Sequence, residues 1–213
     1  MKVISVHVGK PKTVEWKGRQ IKTSIFKQPV DGVVKVESLN LEGDEQSDLN
    51  VHGGISKAVY LYPSEHYDYW KQQYPDKEIS WGAFGENLTT QGLLETEVNV
   101  GDQYQIGSAI FEVTEPRMPC FKLGIRMEDD GIIKKFLEAN YTGFYVKVVK
   151  EGELQSGDEI DLVHKDDYDF TVAEMAALYY KEKSNKELLK KALGFSKLLD
   201  GWRPFFEDKL RKL

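Results

Sequence analysis

The single cysteine of this 213-residue chain sits in Pro116-Arg117-Met118-Pro119-Cys120-Phe121-Lys122, with a cation within three residues on either side. Fixed positive charge favours thiolate over thiol, and thiolate is the form that attacks electrophiles or ligates soft metals. Each proline disfavours the helical region for the residue before it, so the segment is predicted to be extended or turned. In an extended segment Cys120 and Lys122 share one side of the chain. A lone cysteine also has a plainer reading as a small buried hydrophobe, and the heptapeptide alone is compatible with both.

Two further stretches place polar groups beside glycines. Leu41-Glu42-Gly43-Asp44-Glu45-Gln46-Ser47-Asp48 leads towards Val51-His52-Gly53-Gly54-Ile55-Ser56-Lys57. Paired glycines let backbone amides approach an anion, so Gly53-Gly54 can form a small nest to which His52 and Lys57 add donors. The alternative is a glycine turn between two strands. In the segment Trp81 to Thr90, glycines around Phe84 predict an irregular, close-packed loop. Asn87 and Thr89 could hydrogen-bond a polar ligand from it. Glu86 lacks a second carboxylate at a spacing that would make an acid–base pair. His7, His52, His66 and His164 have no metal-ligand spacing, although the fold could bring His52 to Cys120 as the base of a Cys–His pair.

The elements that must position these groups are mostly short strands. Residues 2–8, 33–38, 58–61, 109–114, 144–149 and 159–163 are rich in Val, Ile, Tyr or Phe with partial period-two alternation. Val100-Gly101-Asp102-Gln103-Tyr104 and Ser156-Gly157-Asp158-Glu159-Ile160 echo each other, each a Gly-Asp turn feeding a strand. The pattern predicts hairpins closing on one another into a barrel, not a parallel sheet with crossover helices. Two helices interrupt it. One starts at Pro63 and lines up Tyr67, Trp70 and Tyr74 as core; the other follows Asp130-Gly131 with Ile132, Ile133, Phe136 and Leu137 as its apolar stripe.

Beyond Asp167 the pattern turns helical. Thr171-Val172-Ala173-Glu174 fits a capping box for a helix to about residue 183. Ser184-Asn185 breaks it, a second helix covers residues 186–193 before Gly194, and a third starts at Arg203-Pro204. Residues 166–213 hold ten Lys/Arg and nine Asp/Glu, whereas the rest hold 19 and 26. That shift marks the expected boundary between a barrel domain over residues 1–165 and a three-helix domain over residues 166–213. The fold class is mainly β with helices, α+β.

Composition narrows the function. A net charge of −6 argues against a nucleic acid polymer held by phosphate contacts. One cysteine excludes an internal disulfide framework and any zinc site needing several thiolates. No apolar run is long enough to cross a bilayer, and the alternating Met1 to Val6 segment reads as mature structure in the cytoplasm. The phosphate-loop, dinucleotide and Gly-x-Ser-x-Gly patterns are all missing.

Taken in order, Gly43-Asp44-x-Gln46, Val51-His52-Gly53-Gly54 with Lys57-Ala58-Val59-Tyr60, Phe84-Gly85-Glu86-Asn87-Leu88, Val100-Gly101-Asp102 and Pro116-Arg117-x-Pro119-Cys120-x-Lys122 resemble the MOSC family. The name comes from the C-terminal domain of molybdenum cofactor sulfurase. The chain is most similar to the family's stand-alone bacterial YiiM-type branch, which carries a three-helix appendage. The resemblance implies a MOSC-like β-barrel that binds molybdenum cofactor, with Cys120 as molybdenum ligand and catalytic residue and His52 beside it. Gly53, Gly54, Lys57, Asn87, Arg117 and Lys122 are the implied cofactor-binding residues, with Lys22-Thr23-Ser24 as a looser addition near the phosphate. The implied activity is reduction of small N-hydroxylated compounds, such as hydroxylaminopurine-type base analogues, to amines. With no cysteine set for an iron–sulfur cluster and no flavin fingerprint, electrons must come from a separate reductase partner. A homodimer is a candidate assembly. Two other readings compete: a carrier that holds molybdenum cofactor or persulfide sulfur on Cys120, and a non-catalytic interaction module.

Overall fold

The structure is a computed structural model that describes residues 1–47 and 53–213. Its centre is an eight-stranded sheet in the order β12-β8-β9-β10-β6-β7-β1-β4. These strands are β1 (Lys2–Val8), β4 (Gln28–Pro29), β6 (Val59–Pro63), β7 (Leu88–Gln91), β8 (Gln103–Ile106), β9 (Ala109–Pro116), β10 (Phe144–Lys150) and β12 (Ile160–His164). Pairing is antiparallel except for β6 and β7. Those two are parallel because a 3-10 turn and α1 (Tyr67–Gln73) carry the chain over between them. The two Gly-Asp segments that echo in sequence become sheet neighbours, β8 against β12.

The sheet is not a closed barrel, which corrects the expected closure. Its ladder ends at β12 and β4, and the β12 side reaches β1 only through the isolated bridge Lys2↔Glu159. Three backbone hydrogen bonds of 2.9 Å flank that bridge, Val3 N to Asp158 O, Gly157 N to Val3 O and Ile160 N to Met1 O. The reason lies in β1, which gives one edge to β7 along residues Lys2 to Val6 and, on its other edge, pairs with β4 at His7 and Val8. Only its first residues are left to meet the start of β12.

A hairpin of β2 (Lys12–Trp16) and β3 (Arg19–Thr23) stands apart from the sheet, and β5 (Val34–Val36) pairs with β11 (Gly152–Leu154). The hairpin turns through Lys17 at φ 50° and Gly18 at φ 73°, the left-handed pair that a two-residue connection demands. Between β9 and β10 lie α2 (Phe121–Met127) and α3 (Ile132–Ala139). They pack with α1 on an aromatic cluster that includes Tyr60, Tyr62, Tyr67, Trp70, Phe84 and Phe136. The aromatics expected on α1 are thus core, as their helical spacing implied.

After β12 come α4 (Val172–Tyr179), α5 (Lys186–Gly194) and α6 (Arg203–Arg211). The capping box is present: Glu174 N donates to Thr171 Oγ1 at 3.1 Å and Thr171 N to Glu174 Oε2 at 2.9 Å. α4 stops at Tyr179, four residues before its expected end, and Asn185 then caps α5 by accepting from Leu188 N. Phe170, Met175, Leu178, Leu189, Trp202 and Phe206 join the same buried cluster as Val3, Val6, Phe111 and Val146. The three helices therefore finish the core on one side of the sheet.

Candidate functional site

Strand β9 ends in Glu115 and Pro116 and hands the chain to Arg117, whose N–H donates to Gly143 O at 3.2 Å. The backbone stays extended to Cys120 (φ −127°, ψ 174°), and α2 starts at Phe121. Sequence reasoning kept the whole heptapeptide extended or turned; in the structure Lys122 is helical because no proline follows Cys120 to bar a helix. The two side chains still line one cleft.

That cleft is walled by Thr23, Ser24 and Lys27, by Asp44 to Ser47, by Lys57 and Tyr60, by Asn87, and by Arg117, Met118, Cys120, Lys122 and Tyr145. Five of the side chains expected to hold a ligand, Lys57, Asn87, Arg117, Cys120 and Lys122, come together there from three separate parts of the chain. Gly53 and Gly54 are not among its walls, and Gly54 N is taken up by Gln46 Oε1 at 2.8 Å. The glycine nest is thus closed at Gly54 by a side chain of the protein itself. His52 lies outside the described residues. Enclosed space in the cleft is about 100 Å³, or about 670 Å³ with the solvent at its mouth, so anything larger than an anionic head group must extend into the mouth.

Arg117 is the most constrained charge in the cleft. It is 6% exposed, and its guanidinium carbon lies 5.4 Å from the Tyr60 ring centre and 5.5 Å from that of Phe136. Burial works against its charge, but Tyr60, Tyr145 and Cys120 outweigh this and hold it above the ordinary arginine value. Attraction between Arg117 and Cys120 is mutual, so the guanidinium favours negative charge on the sulfur. Arg117 Nη1 and Ser24 Oγ are both buried without a hydrogen-bond partner. Two polar atoms left unpaired in one cleft each carry a desolvation cost of about 1–3 kcal/mol, which a ligand acceptor would remove.

The loop after α1 plays a supporting part. Glu86 is fully buried and accepts from Gly82 N at 2.8 Å, Phe84 N at 3.1 Å and Thr89 Oγ1 at 3.0 Å, and from the Tyr67 hydroxyl. Thr89 is consequently turned away from ligand binding. Gly85 (φ 83°) is required because a Cβ there would meet Ile25 Cγ1 at 2.6 Å. The loop presents Asn87, whose Nδ2 donates to His7 O at 3.2 Å and Asp44 Oδ2 at 2.9 Å, while Tyr60 N donates to its Oδ1 at 3.1 Å. Both amide hydrogens of Asn87 are spent inside the protein, so it acts as a strut of the cleft. Asp44 in turn pairs with the buried Lys27. Burial draws the Lys27 ammonium below its ordinary value although Asp44 opposes this.

Lys27 and Tyr145 were not singled out from sequence, and Tyr60 stood in a quoted motif without an assigned role. A lysine among residues 22–28 carries no local sign of burial; only its partner Asp44, 17 positions away, explains it. Asp44 and Gln46 stood in a quoted motif without an assigned role.

The MOSC domain family matches residues 48–161, and the YiiM-like 3-alpha helix domain family matches residues 170–213. The chain belongs to the MOSC family, in its YiiM-like branch. The YiiM structure from Geobacillus stearothermophilus superposes with a TM-score of 0.82 at 33% identity, covering 98% of each chain. The uncharacterized protein YflK of Bacillus subtilis (strain 168) is 36% identical over 99% of this chain and 95% of its own length. A protein called "Reductase" from Gibberella moniliformis (strain M3125 / FGSC 7600) is 35% identical over 70% of this chain, which is 27% of that protein. MOSC membership supports a molybdenum-cofactor-associated function.

The donors on the cleft suit such a group. Among the described residues no group of three or more His, Cys, Asp or Glu could hold a metal ion. Cys120 offers one soft sulfur. Lys57, Arg117 and Lys122 offer positive charge for an anionic pterin dithiolene and its phosphate, and the unpaired Arg117 and Ser24 atoms offer hydrogen bonds. Also among the described residues, no helix is long and apolar enough to cross a membrane.

Proposed function

We propose that the chain is a molybdenum-cofactor-dependent reductase of small N-hydroxylated compounds, supplied with electrons by a separate reductase protein. The observation that carries this reading is the convergence of Cys120 with the buried, incompletely paired Arg117 on one cationic cleft. The fungal relative named "Reductase" favours redox chemistry over a passive binding role.

When bound, the cofactor supplies a two-electron redox centre. The protein's part is to hold and tune. Cys120 would give a sulfur ligand beside the Arg117 guanidinium, and Arg117 itself lies against the rings of Tyr60 and Phe136. Lys57 and Lys122 neutralise the cofactor's remaining charge. In the overall reaction R–NHOH takes up two electrons and two protons; the N–O bond breaks, and R–NH2 and water leave.

The test is molybdenum per chain, by elemental mass spectrometry, in wild type and Cys120→Ala from a cofactor-producing host, followed by turnover of an aryl hydroxylamine with a chemical electron donor. Metal in the wild type only, with turnover, supports the proposal. Cofactor that transfers to another enzyme without turnover points to the carrier reading. No metal in either protein, with reconstitution failing, overturns both.

A further inference from the structure

Charge is unevenly placed along this acidic chain. Residues 10–23 and 117–127 hold eight Lys/Arg and one Asp/Glu, whereas the other residues hold 21 and 34. The first segment is the β2–β3 hairpin with its approach, and the second runs from just after β9 through α2. Lys10, Lys12, Lys17, Arg19 and Lys22 are all exposed. Among the described residues only Lys17 of these five is in an ion pair, with Asp130. Like charge gathered without counter-charge repels itself, and an anionic partner would relieve that.

The two segments form one strip that starts at the cleft. Register places Lys12 opposite Thr23, which lines the cleft together with Ser24 and Cys120. At the other end of the hairpin, Lys17 in the turn reaches Asp130, just beyond α2. Lys12 Nζ and Arg126 Cζ share the Phe26 ring, at 3.8 and 5.4 Å from its centre. The hairpin therefore lies along α2. On α2 itself Lys122 and Arg126 are one turn apart on a shared face, which carries positive charge from the cleft wall towards the hairpin. Phe121, next to Cys120, is 48% exposed and adds an apolar contact at the cleft.

We propose that this strip docks a small acidic electron-carrier protein, with the carrier's carboxylates on Lys10, Lys12, Arg19 and Arg126 and its redox group brought over Phe121. The excess of carboxylates elsewhere on the chain repels an acidic partner, so the strip sets orientation as well as partner. A long polyanion or a charged bilayer would meet that repelling surface beyond the strip, which favours a small protein. Encounters of this kind are brief and bury little area. The proposal rests on the reductase reading and names where its electrons enter. Two encounters each oxidise one reduced carrier by one electron. With two protons from water, that pair converts R–NHOH to R–NH2 and water.

The test uses full-length protein from a cofactor-producing host and measures binding apart from turnover. The probes are two acidic carriers, an oxidised plant-type ferredoxin and an oxidised flavodoxin, titrated by calorimetry at about 20 and about 200 mM salt. Wild type should bind at least one of them, about tenfold or more weakly at the higher salt. The triple variant Lys10→Glu, Lys12→Glu, Arg19→Glu should lose at least about tenfold more affinity than a control triple, Lys35→Glu, Lys150→Glu, Lys165→Glu, with the same net charge. Phe121→Ala should weaken binding by about the same factor at both salts. Turnover fed by reduced carrier should fall with binding in the strip triple, while turnover with a small chemical donor should not. Binding of neither carrier overturns the proposal, as does binding insensitive to salt, or equal loss in two triples that melt like wild type. Tighter capture of single-stranded RNA or of phosphatidylglycerol vesicles than of either carrier assigns the strip to a polyanion and also overturns it. Carrier binding as expected, with no hydroxylamine reduced by any donor, upholds the docking surface and removes the reductase reading instead.

Discussion

Trp202 Nε1 donates to Glu115 Oε2 at 2.8 Å, joining the start of α6 to the end of β9 across 87 positions of sequence. Both partners are buried. The bond therefore sets where the helical segment sits relative to the strand that leads to Arg117 and Cys120. Trp202→Phe keeps the ring and removes the donor, leaving a buried carboxyl oxygen short of its closest partner. The expected cost is about 1–3 kcal/mol in denaturant unfolding. A change under about 0.5 kcal/mol would mean that the helices are held by apolar packing alone.

Glu115 also gives stability a pH dependence of known sign. Burial raises its carboxyl above the ordinary 4.5, against the opposing pull of Lys57, Trp202 and Ser56. Tyr145, with its own ionisation pushed upward by burial, faces the same carboxylate. The folded chain thus binds this proton more tightly than the unfolded chain. Stability from that proton is fully present below the unfolded value and is lost as pH rises through the raised folded value. Wild type should therefore lose stability relative to Glu115→Gln on going upward from about pH 4.5, a carboxylate's ordinary range. Urea midpoints of the two proteins across that range check this, and parallel curves would contradict it.

Legibility from sequence varied with how local the determining physics is. β1 was readable over residues 2–8, and the Thr171–Glu174 capping box could be read because both partners lie within one helical turn. The β2–β3 hairpin escaped because it offers only Val14, Trp16 and Ile21 as apolar positions, and none of the three is fully buried. α2 escaped because Pro119 dominates the segment before it. In the cleft, Cys120, Arg117 and Lys122 announced themselves by type and proximity. Lys27 and Tyr145 did not, since their importance comes from what the fold places beside them: Asp44 for one, Arg117 and Glu115 for the other.

Arg117 should be needed for cofactor retention. It has an unpaired buried nitrogen, and its guanidinium carbon lies within 5.5 Å of two ring centres. Arg117→Ala should weaken retention by on the order of 2–3 kcal/mol, seen as molybdenum lost during purification. Arg117→Lys keeps the charge but not the planar fork, so it should fall between the two. A thermal melt of each variant separates lost retention from lost fold. Wild-type molybdenum in a folded Arg117→Ala protein would remove this residue from the site.

Removing residues 166–213 should unfold or aggregate the remaining chain, although the charge pattern alone led to the expectation of a domain boundary there. The segment just past the cut is stitched to residues 95–102: Val100 N donates to Phe170 O at 2.9 Å, Val172 N to Val98 O at 3.0 Å and Ala173 N to Glu95 O at 2.9 Å. Asp166 N donates to Asp102 Oδ1 at 2.9 Å, and Lys197 to Asp166 Oδ2 at 2.5 Å. Phe170, Met175, Leu178 and Trp202 share the buried cluster of the sheet. Exposing their contact surface on the sheet forfeits about 1.5–3 kcal/mol for each large side chain, and a domain's whole margin is only about 5–15 kcal/mol. The truncated chain should therefore elute as aggregate or bind a hydrophobic dye strongly, and the full-length protein should do neither. A monodisperse, cooperatively unfolding fragment with wild-type molybdenum would show instead that the sheet and its cleft form a self-sufficient unit.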